Sequence, residues 1–96
     1  MARLHILNKP PSHPRFKACL AGIGPSDAIV LIEHGVIGIR ALTEQVGNDV
    51  KVYALEADLE ARGLQAVASA ASDTISIIDY RGMVDVAAAY PDSVSW

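Results

Sequence analysis

Residues 28–32 read AIVLI, five apolar side chains in a row, three of them β-branched. A strand with one wet face alternates apolar and polar residues. An unbroken apolar run instead reads as a strand buried on both faces, as in a parallel sheet covered by helices. Five residues is also far short of the roughly 20 that a membrane-spanning helix needs. Three further stretches have strand character: LHIL at 4–7, VKVYAL at 50–55 and TISIID at 74–79, the last two opening with alternation.

The segments between these strands have helical spacing. In the first, predicted over 13–23, Phe16, Cys19, Leu20 and Ile23 fall at i, i+3, i+4 and i+7 and make a stripe for burial. Ser12 or His13 can cap it, and Pro14 near the first helical position loses nothing by lacking an N–H. A second helix is predicted over 35–47, with Val36, Ile39, Leu42 and Val46 on one side. A third covers 56–64, with Gly63 as its stop, and a fourth covers 80–90. In that last helix Tyr80, Met83, Val84, Ala87 and Tyr90 form the expected buried stripe. The small-residue stretch 65–73 fits a loop or a short turn, and SVSW at 93–96 fits an edge strand or a contact with a neighbour. The strict β-α alternation with short connections predicts one α/β domain over residues 1–96, with helices on both faces of a mostly parallel sheet.

Composition narrows the function classes. Apolar residues are 51% of the chain but aromatics only 5%, so Val, Ile, Leu and Ala must supply the core. A small domain with such a core gains from association. The net charge of −3 disfavours nonspecific binding to nucleic acid, which needs a basic stripe. The N-terminus lacks the long apolar region of a signal peptide, and a single cysteine cannot close an intrachain disulfide. These features lead us to expect a cytoplasmic protein with a reduced thiol.

Cys19 is the one residue of strong nucleophilic potential. Its place on an apolar stripe suits a core residue, since free cysteines are commonly buried. Arg15 lies one helical turn upstream and Lys17 two positions upstream, where a cation would favour the thiolate. His13 and His34 are conceivable bases for it. No histidine pair has metal-ligating spacing, so no metal is expected. Residues 35–38, GVIG, open a helix after a strand, but they lack a P-loop lysine and the GxGxxG spacing. Close helix–sheet packing explains these glycines, and no cofactor is expected. Trp96 suits an interface anchor.

Several blocks, taken in order, resemble a known family. LHILNKPP, VLIEHG, KVYALEADLEARGL, IIDYRGMVDV and the final SVSW are similar to the DsrH/TusB family of sulfur-relay proteins, within the larger DsrE/F/H-like group. The resemblance implies a flavodoxin-like three-layer α/β/α sandwich whose mostly parallel sheet has four or five strands. It implies a place as the small subunit of a heterohexamer with DsrE/TusD-like and DsrF/TusC-like subunits, or self-association when isolated. A DsrC/TusE-like protein would accept the sulfur, with no direct contact to nucleic acid or membrane. Persulfide sulfur would pass toward 2-thiolation of the tRNA wobble uridine or toward cytoplasmic sulfur oxidation. DsrH-type chains carry a cysteine where Cys19 stands, which implies Cys19 as the sulfur acceptor. Some TusB-type chains lack it, and the subunit is then structural, with the active thiol on a partner. His34 stands where related chains often carry an acidic residue.

Overall fold

The computed structural model of the chain describes residues 2–47, 49–71 and 73–96. Strands β1 (Leu4–Leu7), β2 (Ala28–Leu31), β3 (Lys51–Leu55), β4 (Ile75–Ile78) and β5 (Ser93–Ser95) form one sheet. Their order is β4-β3-β2-β1-β5, and every adjacent pair is parallel. The apolar run at 28–32 supplies the middle strand, and all four residues of β2 are buried, as a strand covered on both faces requires. The final stretch becomes the edge strand β5, in register with β1 from Leu4–Ser93 to Ile6–Ser95. The likeness to flavodoxin extends to class and layers but not to strand order, which in flavodoxin is 2-1-3-4-5.

Helix α1 (Pro14–Gly22) begins as its sequence predicts. His13 is the cap, its Nδ1 accepting the Arg15 N–H at 3.1 Å, and Pro14 occupies the first turn. Phe16 and Cys19 are buried, while Leu20 and Ile23 are partly buried against the same core. The second predicted helix divides in two. Glu33–Gly38 is a 3₁₀ helix, and α2 (Ile39–Gln45) continues from it. Glu33 enters with φ at +51°, a left-handed conformation that costs a non-glycine residue energy. Gly35 passes directly over the Leu7 carbonyl and Gly38 lies against the Phe16 ring, so a Cβ at either would collide. Close packing alone requires both glycines.

Helix α3 (Glu56–Ala61) is shorter than its predicted span and ends at Gly63, whose φ of +65° turns the chain away. The stretch left between loop and short turn contains helix α4 (Gln65–Ala70), with Ala68 in the core; Ser72 lies outside the described residues. Helix α5 (Tyr80–Ala89) is capped by Asp79, whose Oδ1 accepts the Gly82 N–H at 2.8 Å.

The outer layers are unequal. Residues of α1, the 3₁₀ helix, α2, α3 and α4 pack with Leu7, Ile29, Leu31, Val52, Ala54 and Ile75 on one face of the sheet. The other face buries Leu4, Ala28 and Val30, with Val86 and Tyr90 of the α5 segment packed against them. Here the predicted stripe needs correction. Tyr80 and Val84 are 65% and 67% exposed and Ala87 is exposed too, while Met83, Val86 and Tyr90 are partly buried. Gly82 sets this rotation: a Cβ there would stand 2.9 Å from Ile78 Cβ, so the bare glycine lets the helix press onto β4.

Candidate functional site

The stripe that carries Cys19 turns it wholly inward. It is 0% exposed, inside the core cluster that also holds Phe16, Leu7 and Ile29. Burial pushes its thiol up to about 12, because an apolar surrounding disfavours the charged thiolate. Arg15 and Lys17, expected upstream to favour that anion, are both exposed on the solvent side of α1. At neutral pH only about 1 in 10⁵ such thiols would be ionised, about a thousandfold fewer than for an ordinary cysteine.

The histidines do not supply a base for Cys19. His13 is engaged as the helix cap, six residues and about 9 Å of helical rise away from Cys19. His34 is exposed in the 3₁₀ helix. Nearby, the Glu33 N–H donates to Asp58 Oδ2 at 2.7 Å, and Asp58 pairs with Arg62 at 3.5 Å. These bonds tie the end of β2 to α3 and hold Glu33 in its strained conformation. A cleft of about 500 Å³ opens at the other ends of β3 and β4, lined in part by Thr43, Lys51, Asp73 and Ser76; Val50, Val52 and Ile75 of the core also border it, but Cys19 does not.

A polar cluster that our reading of the sequence did not anticipate lies across β1. His5 Nε2 is 2.8 Å from Asp27 Oδ2, and the Trp96 indole N–H donates to His5 Nδ1 at 3.1 Å. The two rings stack with centroids 6.1 Å apart and 17° between planes. Asp27 also accepts the Arg3 N–H at 3.0 Å and the Gly24 N–H at 2.9 Å. Burial alone would raise the Asp27 carboxyl, but the bonds from His5, Gly24 and Arg3 outweigh it and hold the group at about 2. Trp96, expected to anchor an interface, is packed within its own chain, and its carbonyl oxygen accepts from Lys9 Nζ at 3.1 Å. The signal in the sequence is the polar His5 inside the apolar LHIL strand, because a buried imidazole demands partners. Those partners lie 22 and 91 residues away.

Comparison with known proteins agrees with this architecture. The profile of the family described as "DsrH like protein" matches residues 9–93. The chain belongs to the DsrH family. It is 34% identical over 97 aligned positions to the Protein TusB of Escherichia coli, covering 97% of this chain and 99% of that one. The Protein TusB of Pectobacterium parmentieri is 30% identical with the same coverage. Among solved structures, the solution NMR structure of Protein Tm0979 from Thermotoga maritima superposes with a TM-score of 0.63. That protein is 32% identical, and 90% of each chain is covered. Membership in the DsrH family implies a part in sulfur relay. Cys19 and Asp27 lie inside the stretch matched by the family profile, whereas His5 and Trp96 lie outside it.

Proposed function

We propose that this DsrH-family chain serves sulfur relay as a non-catalytic subunit, with the sulfur carried on a cysteine of a partner. The observation that carries this reading is the complete burial of Cys19. Persulfide transfer needs an accessible thiolate: it attacks the outer sulfur of a donor persulfide, the old S–S bond breaks and the donor thiolate leaves. The exchange conserves electrons and needs no cofactor. Cys19 as found in this chain has neither the access nor the charge for it.

The uncovered stripe of α5 supports the second half of the reading. Tyr80 and Val84 present apolar surface on the sparsely covered side of the sheet, as a subunit that docks on larger partners would. We assign the partners to the DsrE/TusD-like and DsrF/TusC-like classes, and the onward acceptor to the DsrC/TusE-like class. The rival reading, with Cys19 as sulfur acceptor, rests on the position of the residue and requires α1 to lift from the sheet. A relay assay with partner subunits separates the two. Cys19→Ser should retain transfer to the acceptor within about twofold under the subunit reading. Loss of transfer by the folded Cys19→Ser variant would restore Cys19 as the carrier.

A further inference from the structure

We propose that His5, Asp27 and Trp96 form a proton-sensitive clasp that holds β5 on the sheet, closed while the His5 imidazole is neutral and opened when its Nδ1 takes a proton. The indole has an N–H to donate and no lone pair to accept with. Because Trp96 Nε1 lies 3.1 Å from His5 Nδ1, that ring nitrogen must present its lone pair. The ring proton then sits on Nε2 and is donated to Asp27 Oδ2 at 2.8 Å. Asp27 can only accept here, since its remaining contacts are the backbone N–H groups of Arg3 and Gly24. The geometry thereby selects one tautomer of a neutral histidine.

A proton added at Nδ1 would set two N–H donors face to face. His5 is 1% exposed, so the new donor has no solvent to turn to. Asp27 is already bonded on the Nε2 side, so an imidazolium would keep that bond and its counter-charge while losing the one at Nδ1. The contact that must give way is the indole. Among the described residues, the register partners of His5 are uncharged: Ile29 from β2 and Val94 from β5. Gly22 of α1 lies against the Trp96 ring. The Arg3 guanidinium is paired with Asp92 at 3.0 Å, and the Lys9 ammonium binds Asn8 Oδ1 and the Trp96 carbonyl oxygen. Asp27 stays ionised down to about pH 2, so it is not the group that takes up a proton on mild acidification.

Release of Trp96 has a structural consequence because β5 is weakly held. It is three residues long, at the edge of the sheet, and pairs with β1. The Trp96 N–H donates to the Ile6 carbonyl at 2.9 Å, and the Leu4 N–H donates to the Asp92 carbonyl at 3.0 Å. Loss of the indole anchor lets this short strand fray and leaves the edge of β1 with unpaired backbone groups.

Trp96 is the only tryptophan in the sequence, so its emission reports on the clasp directly. The test follows the full chain and its His5→Gln variant from about pH 8 to about pH 4, reading Trp emission, amide exchange of Val94–Trp96 and imidazole ¹⁵N shifts. The glutamine amide supplies a donor and an acceptor without titrating. Expected is the Nε2–H tautomer at the start. Emission should then shift to the red, and β5 protection should fall at least about tenfold, both tracking protonation of His5 in the wild type and absent from the variant. An Nδ1–H tautomer or an imidazolium at about pH 8 overturns the proposal. So does an unchanged β5 through the titration of His5, or an equal transition in His5→Gln. Should the variant fail to fold, the wild-type tautomer and the coincidence of the two transitions decide the matter.

Discussion

The two faces of the sheet differ in how much of their burial this chain provides for itself. On one face, five helical segments close over Leu7, Ile29, Leu31, Val52 and Ala54 and bury Phe16 and Cys19 completely or nearly so. On the other, α5 packs over part of the sheet, buries no residue of its own, and leaves Tyr80 and Val84 facing solvent. The difference teaches that the larger part of the core lies on one side of the sheet, and that the proposed docking surface lies on the other. It also places the lone thiol: Cys19 lies on the finished side, fully buried.

Substitutions should separate the two faces. The largest effect is expected from Phe16→Ala, which empties a site 2% exposed and should cost about 3–5 kcal/mol in urea unfolding. Val86→Ala on the α5 side should cost about 1 kcal/mol, because that residue is only partly buried. Equal losses would break the contrast. Next comes acid. The folded Asp27 carboxyl, held at about 2 against an ordinary 3.8, contributes about 2 kcal/mol above pH 4 that is lost as pH falls toward 2. Unfolding free energies at successive pH values should show this loss in the wild type and a smaller one in Asp27→Asn.

Cys19 gives the opposite sign. Its thiol is raised from 9.0 to about 12, so its stabilising effect is whole below pH 9 and declines as pH rises toward 12. At pH 10 the deficit should be about 1 kcal/mol, and Cys19→Ala should flatten that alkaline slope. The smallest effect on folding belongs to Val84→Asp, which should change stability by less than about 0.5 kcal/mol. The same variant should abolish or weaken co-elution with partner subunits. A large folding defect from Val84→Asp would mean that the α5 stripe is internal after all.

Much of this architecture was legible in the sequence, for identifiable reasons. AIVLI could be satisfied only by burial on both faces, and the Phe16–Cys19 spacing fixed the inner side of α1. The rotation of α5 was not legible, because Tyr80–Val84–Ala87 and Met83–Val86–Tyr90 are both apolar at helical spacing. What accompanies the choice is the close approach of Gly82 to Ile78 across the β4–α5 junction, which apolar spacing does not encode. Glu33 gave no sign of its left-handed backbone, which depends on Asp58, 25 residues along the chain. The candidate site divided in the same way. The position of Cys19 could be read from periodicity, but its isolation from Arg15 and from both proposed histidines required coordinates. The His5–Asp27–Trp96 cluster joins distant segments and leaves only one local trace, a histidine in an apolar strand.

On the proposed reading, sulfur bypasses this chain's own thiol. Intact-mass spectrometry after incubation with a cysteine desulfurase, cysteine and the partner subunits tests it directly. Persulfidation adds one sulfur, about 32 Da, to whichever chain holds it. That addition is expected on a partner subunit and not on this chain, whether wild type or Cys19→Ser. A gain of one sulfur on the wild-type chain that disappears in Cys19→Ser would contradict it.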